Sequence, residues 1–479
     1  MAGVTSPATS GFDSIVRATV DDEGLQRWLA DYQILAQEWH NRALDELGDT
    51  EAWRDAVAAV RRHTLAHLDR YLAQFADNVE RNGGRVFFAA TANEARDHIV
   101  ELARSKDVRR IVKAKSMVTE EIGLNPALEA LGAEVAETDL GEFIIQLSGE
   151  KPYHITGPAL HKTLPQIREL FSQAAGEELT DDVDALTAFA RRALRDKFLT
   201  ADMGISGANV GVASTGTVIL VTNEGNGRMC TTLPRTHVVV MGMERLVPDW
   251  RSLEPVLTML PRAGTGERLT TYVTAITGPR REHDEDGPEE LHVVIVDNGR
   301  SRILGTKYEP VLNCIRCGCC ADFCPVYRTM GGYAYESVYT GPIGAVLTPL
   351  LDGLDGHEHL PYASSLCGAC QAACPARVPL AELLLELRAD VVKAGRAPAS
   401  WKLGFKGFAA VSAHHRLWDI AVGAAGRLAP LFVRRGRLRG APGIVRAWTD
   451  SRDLPLPAPR SFARLWARQP HGRSTGPGR

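Results

Sequence analysis

The chain has little cysteine outside one stretch, and it has no hydrophobic run long enough to cross a bilayer. Eight of its nine cysteines fall between positions 314 and 374, which leaves Cys230 alone elsewhere. No apolar segment reaches the ~20 residues that a membrane-spanning helix needs. Residues 1–12 are polar and lack the basic and apolar regions of a secretory signal. We therefore expect a cytoplasmic protein whose thiols stay reduced.

A dinucleotide-binding fingerprint, G-x-G-x-x-G with a following acidic residue, is also missing. Charge is unevenly distributed along the 479 residues. Residues 391–479 contain 17 Lys+Arg and 3 Asp+Glu, which leaves 38 and 55 in residues 1–390, so the tail carries +14 and the body −17. We expect no nucleic-acid partner. The basic tail is predicted to be a solvated arm that could contact the inner face of the plasma membrane peripherally or an acidic partner.

The cysteines form two runs with the spacing of iron–sulfur proteins. Residues 314–325 read C-x2-C-x2-C-x3-C-P, and residues 367–375 read C-x2-C-x3-C-P. Cysteines three apart on a tight turn reach adjacent irons, whereas the cysteine before the proline ligates the other cluster. Zinc would explain neither the third cysteine nor the C-P ending. The spacing predicts two [4Fe–4S] clusters, one held by Cys314, Cys317, Cys320 and Cys374, the other by Cys324, Cys367 and Cys370.

The second run lacks its first cysteine, because Ser364 stands ten residues before Cys374. The fourth iron of the second cluster could be bound by Ser364, by Cys319, by a side chain of a partner or by water. It could also be absent, which would make that cluster [3Fe–4S]. Cys319 is predicted to be a small buried side chain beside the first cluster, because free cysteine is usually buried.

Strands and helices alternate after Gly83, which favours an α/β layered domain with a mostly parallel sheet. The predicted strands are 85–90, 110–113, 133–137, 217–222, 237–241 and 292–296. The predicted helices are 93–104, 120–131 with a break at Asn125-Pro126, 158–174, 184–196 and 378–392. The expected domains are a helical segment 1–82, the α/β domain 83–305, a helical two-cluster ferredoxin domain 306–392, and a basic, partly disordered region 393–479.

Polar clusters follow three of the predicted strands, at residues 113–121, 137–142 and 222–228. The carboxyl ends of parallel strands are where α/β folds bind ligands, so these clusters predict a ligand pocket. The segment Gly204–Gly211 is predicted to be a glycine-rich turn that could hold an anion. His154 and His161, seven apart, could share a helix face, but packed or solvated histidines are the expected outcome. Cys230 is predicted to be structural.

Several stretches resemble a known family, lactate utilisation protein B, over roughly residues 20–390. They are KSMVTEEIGLN (115–125), ETDLGEFIIQL (137–147), GVASTGTVILVTNEGNGR (211–228), the first cysteine run, TGPIGAVLTP (340–349) and LPYASSLCGACQAACP (360–375). The resemblance implies a fold for 83–305 related to sugar-phosphate isomerases and CoA transferases. It also implies a three-protein system, with partners resembling lactate utilisation proteins A and C, that converts L-lactate to pyruvate. The family likewise shows three cysteines in the second run.

Two functions are consistent with these features. The first is an electron-transfer subunit that passes electrons through the two clusters to an acceptor such as a quinone or a cytochrome. Lactate gives up two electrons while each cluster carries one, so a flavin or a partner's active site would be needed, and catalysis could lie on that partner. The alternative is that the α/β domain itself binds or transforms a carboxylate or CoA-type substrate. Glu224, on a turn after a strand, resembles the position of a nucleophilic carboxylate in such folds.

Overall fold

Helical periodicity dominates the first eighty residues, and the computed structural model forms helices there, as predicted. The structure describes residues 11–397, 399–434, 437–438 and 462–466. Contacts divide the chain into two compact units, Met1–Lys393 and Ala394–Arg479. The first helices are α1 Phe12–Asp21, α2 Glu23–Asp45, α3 Thr50–Ala66 and α4 Leu68–Arg81. Asp22 and Asp49 cap α2 and α3 by accepting the amides of Leu25 and Ala52.

The α/β region contains ten strands, of which the six predicted ones are confirmed within two residues at each end. They are β1 Arg85–Ala89, β2 Arg110–Lys113, β3 Glu134–Glu137, β4 Met203–Gly207, β5 Val210–Val212, β6 Thr217–Thr222, β7 Thr236–Gly242, β8 Leu246–Val247, β9 Tyr272–Ile276 and β10 Glu290–Val296. Six strands form a fully parallel sheet in the order β1-β10-β7-β4-β2-β3. Its strands β7 and β10 are almost entirely buried and contain runs of valine and isoleucine, because helices cover both faces.

The helices of this region are α5 Ala92–Ser105, α6 Met117–Glu121, α7 Leu124–Ala130, α8 Leu140–Ser148, α9 Leu164–Ala175, α10 Val183–Leu199, α11 Asn226–Thr232 and α12 Trp250–Gly264. The predicted break is present, but its position at Asn125-Pro126 is two to three residues too late. The chain instead breaks at Gly123, whose φ of +63° is left-handed. Pro126 lies in the first turn of α7, where a missing amide costs no helical hydrogen bond.

A second sheet, with the order β8-β5-β6-β9, was not predicted from the sequence. The expected glycine-rich turn at Gly204–Gly211 is wrong, because these residues belong to β4 and β5, and only Ala208 and Asn209 connect them. Close packing explains the glycine at 204, since a Cβ there would lie 1.9 Å from the carbonyl oxygen of Cys230. Cys230 is fully buried, which confirms the structural role predicted for it.

The cysteine region is helical and packs on the N-terminal helices. Its α-helices are α13 Cys319–Asp322, α14 Pro325–Met330, α15 Gly341–Leu351, α16 Ala369–Ala373 and α17 Leu380–Lys393, with 3-10 turns at Glu309–Asn313, Tyr333–Tyr335 and Leu360–Tyr362. Buried Gln33 of α2 donates its amide to the carbonyls of Ala321 and Cys324, at 2.8 and 3.1 Å. The chain is thus a parallel-sheet α/β domain followed by a helical ferredoxin-like region.

The second unit contains α18 Ala399–Ser412, α19 His415–Leu428, a 3-10 turn Ala429–Phe432, the strands β11 Val433–Arg434 and β12 Arg437–Leu438, and α20 Phe462–Trp466. The sequence did not predict α18 and α19. The disorder expected for the last ~25 residues falls mostly outside the described residues. Among the described residues, no helix combines the length and apolar character needed to cross a membrane.

Candidate iron–sulfur centre and adjoining cavity

The structure brings the seven motif cysteines together in two sets that match the spacing. In the first set, burial raises the pKa of Cys317, and the charges of Cys314 and Cys374 raise it further. In the second set, burial raises the pKa of Cys370 to about 12, with added contributions from Cys324 and Cys367. Charge interactions weaken with distance, so thiols that affect one another in this way are neighbours. The last cysteine of each run therefore lies with the other run, although ligation itself stays a prediction.

The sulfur environments fit an iron–sulfur group. Backbone amides donate to the sulfurs of Cys314, Cys324 and Cys374, each at 3.4 Å. Such N–H···S bonds stabilise thiolate ligands and tune cluster potentials. Burial raises the pKa of Cys324 and Cys374, and a cationic iron centre would deprotonate both thiols. Among the described residues no His, Cys, Asp and Glu group is arranged to hold a metal ion. A cluster binds one thiolate at each iron, so its ligands stand farther apart than those of one ion.

Ser364 and Cys319, the two side chains considered as a fourth ligand of the second cluster, occupy different places. The sulfur of Cys319 is buried, 3.6 Å from Nδ1 of His40 and 3.7 Å from the carbonyl oxygen of Ala373. Its charge interactions are with Cys317, Asp322, Cys320 and Cys374. This confirms the expectation of a buried side chain beside the first set. Ser364 instead lies on the loop before Cys367, which is the exposed member of the second set.

Arginines surround the first set, and sequence motifs did not reveal them. Arg245 donates to the carbonyl of Cys314 at 2.9 Å, and Arg54 donates to that of Cys374 at 3.1 Å. Arg316 stacks over the ring of Tyr339, with its guanidinium carbon 4.7 Å from the ring centroid. These cations offset the negative charge that a thiolate-ligated cluster carries. Arg54 and Arg245 come from distant parts of the chain. Only Arg316, which lies inside the first run, could have been identified from the sequence.

A cavity of about 320 Å³ opens beside the first cysteine set. Its polar lining includes Lys115, Ser116, Asp139, Asn209, Thr222, Asn223, Glu224, Asn226, Glu244, Arg245 and Arg316. The clusters predicted at the ends of three strands therefore meet in one place, as expected. The cavity also reaches Cys317 and Tyr339, so its wall is shared by the α/β domain and the cysteine region. A volume of this size suits a small organic molecule.

Two charged side chains in the cavity lining, Glu224 and Arg316, are suited to bind an anion. Burial raises the pKa of Glu224 to about 7, and the charge of Asp139 adds to the effect. The amide of Leu140 donates to a Glu224 carboxylate oxygen at 3.1 Å and opposes the rise. Arg316 lines the same cavity, and its Nη1 is buried without a hydrogen-bond partner among the described residues. An anion placed between them would satisfy the guanidinium while meeting a neutral carboxyl group.

Some of the polar residues after β2 and β3 do not reach this cavity. Lys113 is fully buried and pairs with Glu120 at 2.8 Å and with Glu137 at 2.7 Å. Burial raises the pKa of Glu142 to about 8, and the charge of Glu137 adds to it. Glu120, Glu121, Glu137 and Glu142 line a second cavity of about 640 Å³. Three of these carboxylates are in internal ion pairs, Glu120 and Glu137 with Lys113 and Glu121 with Arg300.

The two histidines considered from the sequence lie on no helix, because α9 begins only at Leu164. Nε2 of His154 lies 3.3 Å from a carboxylate oxygen of Asp322 in α13. Nε2 of His161 lies 2.7 Å from a carboxylate oxygen of Glu150. Both side chains are packed in the interior, which is the expected outcome.

Comparison with known proteins matches the chain along its length. The LUD domain model matches residues 72–296, the 4Fe-4S dicluster domain model 310–378, and the model of the C-terminal region of lactate utilisation protein B 389–471. A DUF162 family protein from Deinococcus radiodurans, solved at 1.70 Å, covers 48% of the chain and 98% of its own. It is a weak match, with 16% identity and a TM-score of 0.27.

Curated relatives match far more closely. Lactate utilization protein B of Oceanobacillus iheyensis is 50% identical over 429 residues, covering 89% of this chain and 90% of its own. Lactate utilization protein B of Geobacillus kaustophilus is 48% identical over 449 residues, covering 93% and 94%. The identity extends over nearly the whole of both chains, so it includes the LUD domain and the dicluster domain with its two cysteine sets. The chain therefore belongs to the lactate utilisation protein B family.

Proposed function

We propose that this protein is the iron–sulfur electron-transfer subunit of a system that oxidises L-lactate to pyruvate. Oxidation releases two electrons and two protons, and each of two [4Fe–4S] clusters carries one electron at a time. Cys314, Cys317, Cys320 and Cys374 would hold the first cluster, and Cys324, Cys367 and Cys370 the second. The partners would be proteins resembling lactate utilisation proteins A and C, with a quinone or a cytochrome as acceptor.

The interleaving of the two sets is the observation that carries this proposal. Because Cys324 and Cys374 each lie with the opposite run, the two clusters must be neighbours. The charge of Cys370 also raises the pKa of Cys320, after the contributions of burial and of Cys314 and Cys317, so the sets adjoin. The first set lies against the cavity, whereas Cys367 of the second set is exposed. These positions of the two sets support electron entry on the cavity side and electron exit at the surface near Cys367.

Spectroscopy on the anaerobically purified protein tests the proposal. Iron and sulfide analysis should give about eight of each per chain. Low-temperature EPR after reduction should show two signals broadened by mutual coupling. Cys374→Ser should disturb the first cluster, and Cys324→Ser the second. Cys230→Ser is the matched control, because that buried thiol belongs to neither set.

Three results would each contradict a different part of the proposal. Stoichiometric zinc without iron would remove the electron-transfer proposal. A Cys374→Ser protein that kept both clusters and full lactate-dependent reduction in the reconstituted three-protein system would remove the ligand assignment. Signals without coupling would contradict the neighbouring arrangement of the clusters.

The cavity supports a second candidate function, which is the binding of a small carboxylate next to the first cluster. Arg316 and Lys115 would attract the carboxylate, and Glu224 in its protonated form would donate a hydrogen bond. Calorimetric titration of the full chain with lactate and pyruvate tests this, with acetyl-CoA as the probe for thioesters. Arg316→Gln should abolish binding. A wild-type protein that binds none of the three probes contradicts this function.

The second unit supports peripheral contact with an anionic membrane surface. Large apolar side chains of α18 and α19 are exposed, among them Leu403, Phe405 and Ile420. The surrounding sequence is strongly basic. Apolar side chains beside cations suit the interface of an anionic bilayer. The full chain should sediment with phosphatidylserine-containing vesicles and be released by salt, whereas equal sedimentation with neutral vesicles would contradict the contribution of the basic residues.

A further inference from the structure

The two cysteine runs repeat one backbone conformation at a distance of fifty residues. Arg316 and Leu366 both have left-handed backbones, with φ of +62° and +55°. Each is followed by a cysteine and then by a glycine, and Gly318 and Gly368 share a φ of +81°. Left-handed conformations are uncommon for residues other than glycine, so their recurrence at matching positions is specific.

The turn hydrogen bonds repeat with the same spacing. The carbonyl of Gly318 accepts the amide of Ala321 at 2.8 Å, and the carbonyl of Gly368 accepts the amide of Gln371 at 3.1 Å. The carbonyls of Ala321 and Gln371 in turn accept the amides of Cys324 and Cys374, at 3.1 and 3.3 Å. Cys317, Cys320 and Cys324 therefore correspond to Cys367, Cys370 and Cys374. By the same shift, Cys314 corresponds to Ser364.

The side chain of Ser364 is held as the side chain of Cys314 is held. The amide of Arg316 donates to the sulfur of Cys314 at 3.4 Å, and the amide of Leu366 donates to Oγ of Ser364 at 3.1 Å. In each case the donor lies two residues further along. The Ser364 hydroxyl thus has the orientation that a ligating thiol has in the first run.

The backbone beneath each side chain is also fixed by an arginine. Arg245 donates to the carbonyl of Cys314 at 2.9 Å, and Arg388 of α17 donates to that of Ser364 at 2.8 Å. Arg388 also donates to the carbonyl of Pro361 at 2.8 Å, so the loop is fastened at two points. The competing candidate, Cys319, is engaged with His40 beside the first set.

We propose that Ser364 is the fourth ligand of the second cluster and binds its remaining iron through Oγ. The hydroxyl releases its proton to water as the iron–oxygen bond forms, because the loop reaches the surface at exposed Ser365. Oxygen is a harder donor than sulfur and favours ferric iron, so this cluster has a lower potential than its all-cysteine equivalent. This inference rests on the proposed presence of a second cluster.

Two variants and one control test the ligand. Ser364→Ala should convert the second cluster to [3Fe–4S] after mild oxidation. The iron content would then fall from about eight to about seven per chain, with a new oxidised EPR signal close to one spin per chain. Ser364→Cys should keep the iron content of the wild type and raise the potential of the second cluster in a redox titration. Ser105→Ala, at an exposed serine of α5 whose hydroxyl donates to the carbonyl of Leu102, should match the wild type in all three measurements.

The results distinguish this inference from the function on which it rests. If Ser364→Ala and Ser364→Cys both retain the wild-type iron content, EPR signals and potentials, the ligand assignment is overturned while the two-cluster function stands. If the wild type contains four irons and one signal, both are overturned. A wild type that already shows one [3Fe–4S] signal per chain overturns the assignment alone. Should Ser364→Ala not fold, the potential of Ser364→Cys decides.

Discussion

Glu244 is the buried anion on which the contact between the α/β domain and the first cysteine run depends. It follows β7, and its side chain is 2% exposed. Its carboxylate lies 2.8 Å from Nε of Arg300 and 3.4 Å from Nη2 of Arg316. Burial alone would raise the pKa of Glu244, but Arg300, Arg316 and Arg245 outweigh it and bring the pKa to about 2. Glu244→Gln keeps the shape and removes the charge.

Removal of this charge takes from Arg316 the buried carboxylate that it pairs with, and it leaves Arg300 paired with Glu121 alone. Breaking a buried ion pair by removing one partner costs about 3–5 kcal/mol. The first unit has 393 residues. At about 2.1 cal/mol/K per residue, its unfolding entropy is about 0.8 kcal/mol/K. The melting temperature should therefore fall by about 4–6 °C, measured by calorimetry on the anaerobic protein.

Glu289→Gln is the control, because it removes a charge that pairs with Arg235 and Arg280 at the surface. Exposed pairs contribute little to stability, so this variant should have the same melting temperature as the wild type. If Glu244→Gln also melted with the wild type, the buried network would not hold the cysteine run in place. The same conclusion would follow if both variants lost equal stability.

Three further predictions concern other parts of the molecule. Carboxylate binding in the cavity should weaken as pH rises through about 7, because Glu224, whose pKa is raised by burial and then by Asp139, becomes charged; Glu224→Gln should remove this dependence in calorimetric titrations, and an unchanged slope would contradict it. Gly204→Ala should cost about 1–3 kcal/mol in urea unfolding because its Cβ would overlap a carbonyl, whereas Gly407→Ala, with open space around it, should cost nothing. Gln33→Leu should cost about 1–3 kcal/mol by removing two buried hydrogen bonds to the carbonyls of Ala321 and Cys324, and equal urea midpoints for this variant and the wild type would refute the contribution of these bonds.

The sequence predicted those features that depend on local patterns. Strands β2 and β6 were predicted with their observed bounds, because each is a short apolar run between polar turn residues. The cysteine spacing predicted two sets, and the structure gathers the thiols in that way. The polar residues after β2, β3 and β6 were expected to meet, and they line one cavity.

Other features depend on contacts that local patterns do not encode. Gly204 and Gly211 suggested a turn, yet both lie in strands. They are glycines because neighbouring backbone and side chains leave no room for a Cβ at these positions. Lys113 and Glu137 suggested a ligand site, but they neutralise each other in the interior. The helices α18 and α19 were missed because a basic, glycine-containing segment was interpreted as a solvated arm.

Sequence alone determined the cofactor class, the α/β and ferredoxin-like domains and the family, because cysteine spacing and hydrophobic periodicity are local properties. Tertiary structure decided what surrounds the cysteines. It brings Arg54 and Arg245 from distant elements to the first set, and it opens a cavity against Cys317. It also aligns Ser364 with Cys314, because the same turn forms twice. Such contacts depend on how the elements pack, which no single stretch of the sequence specifies.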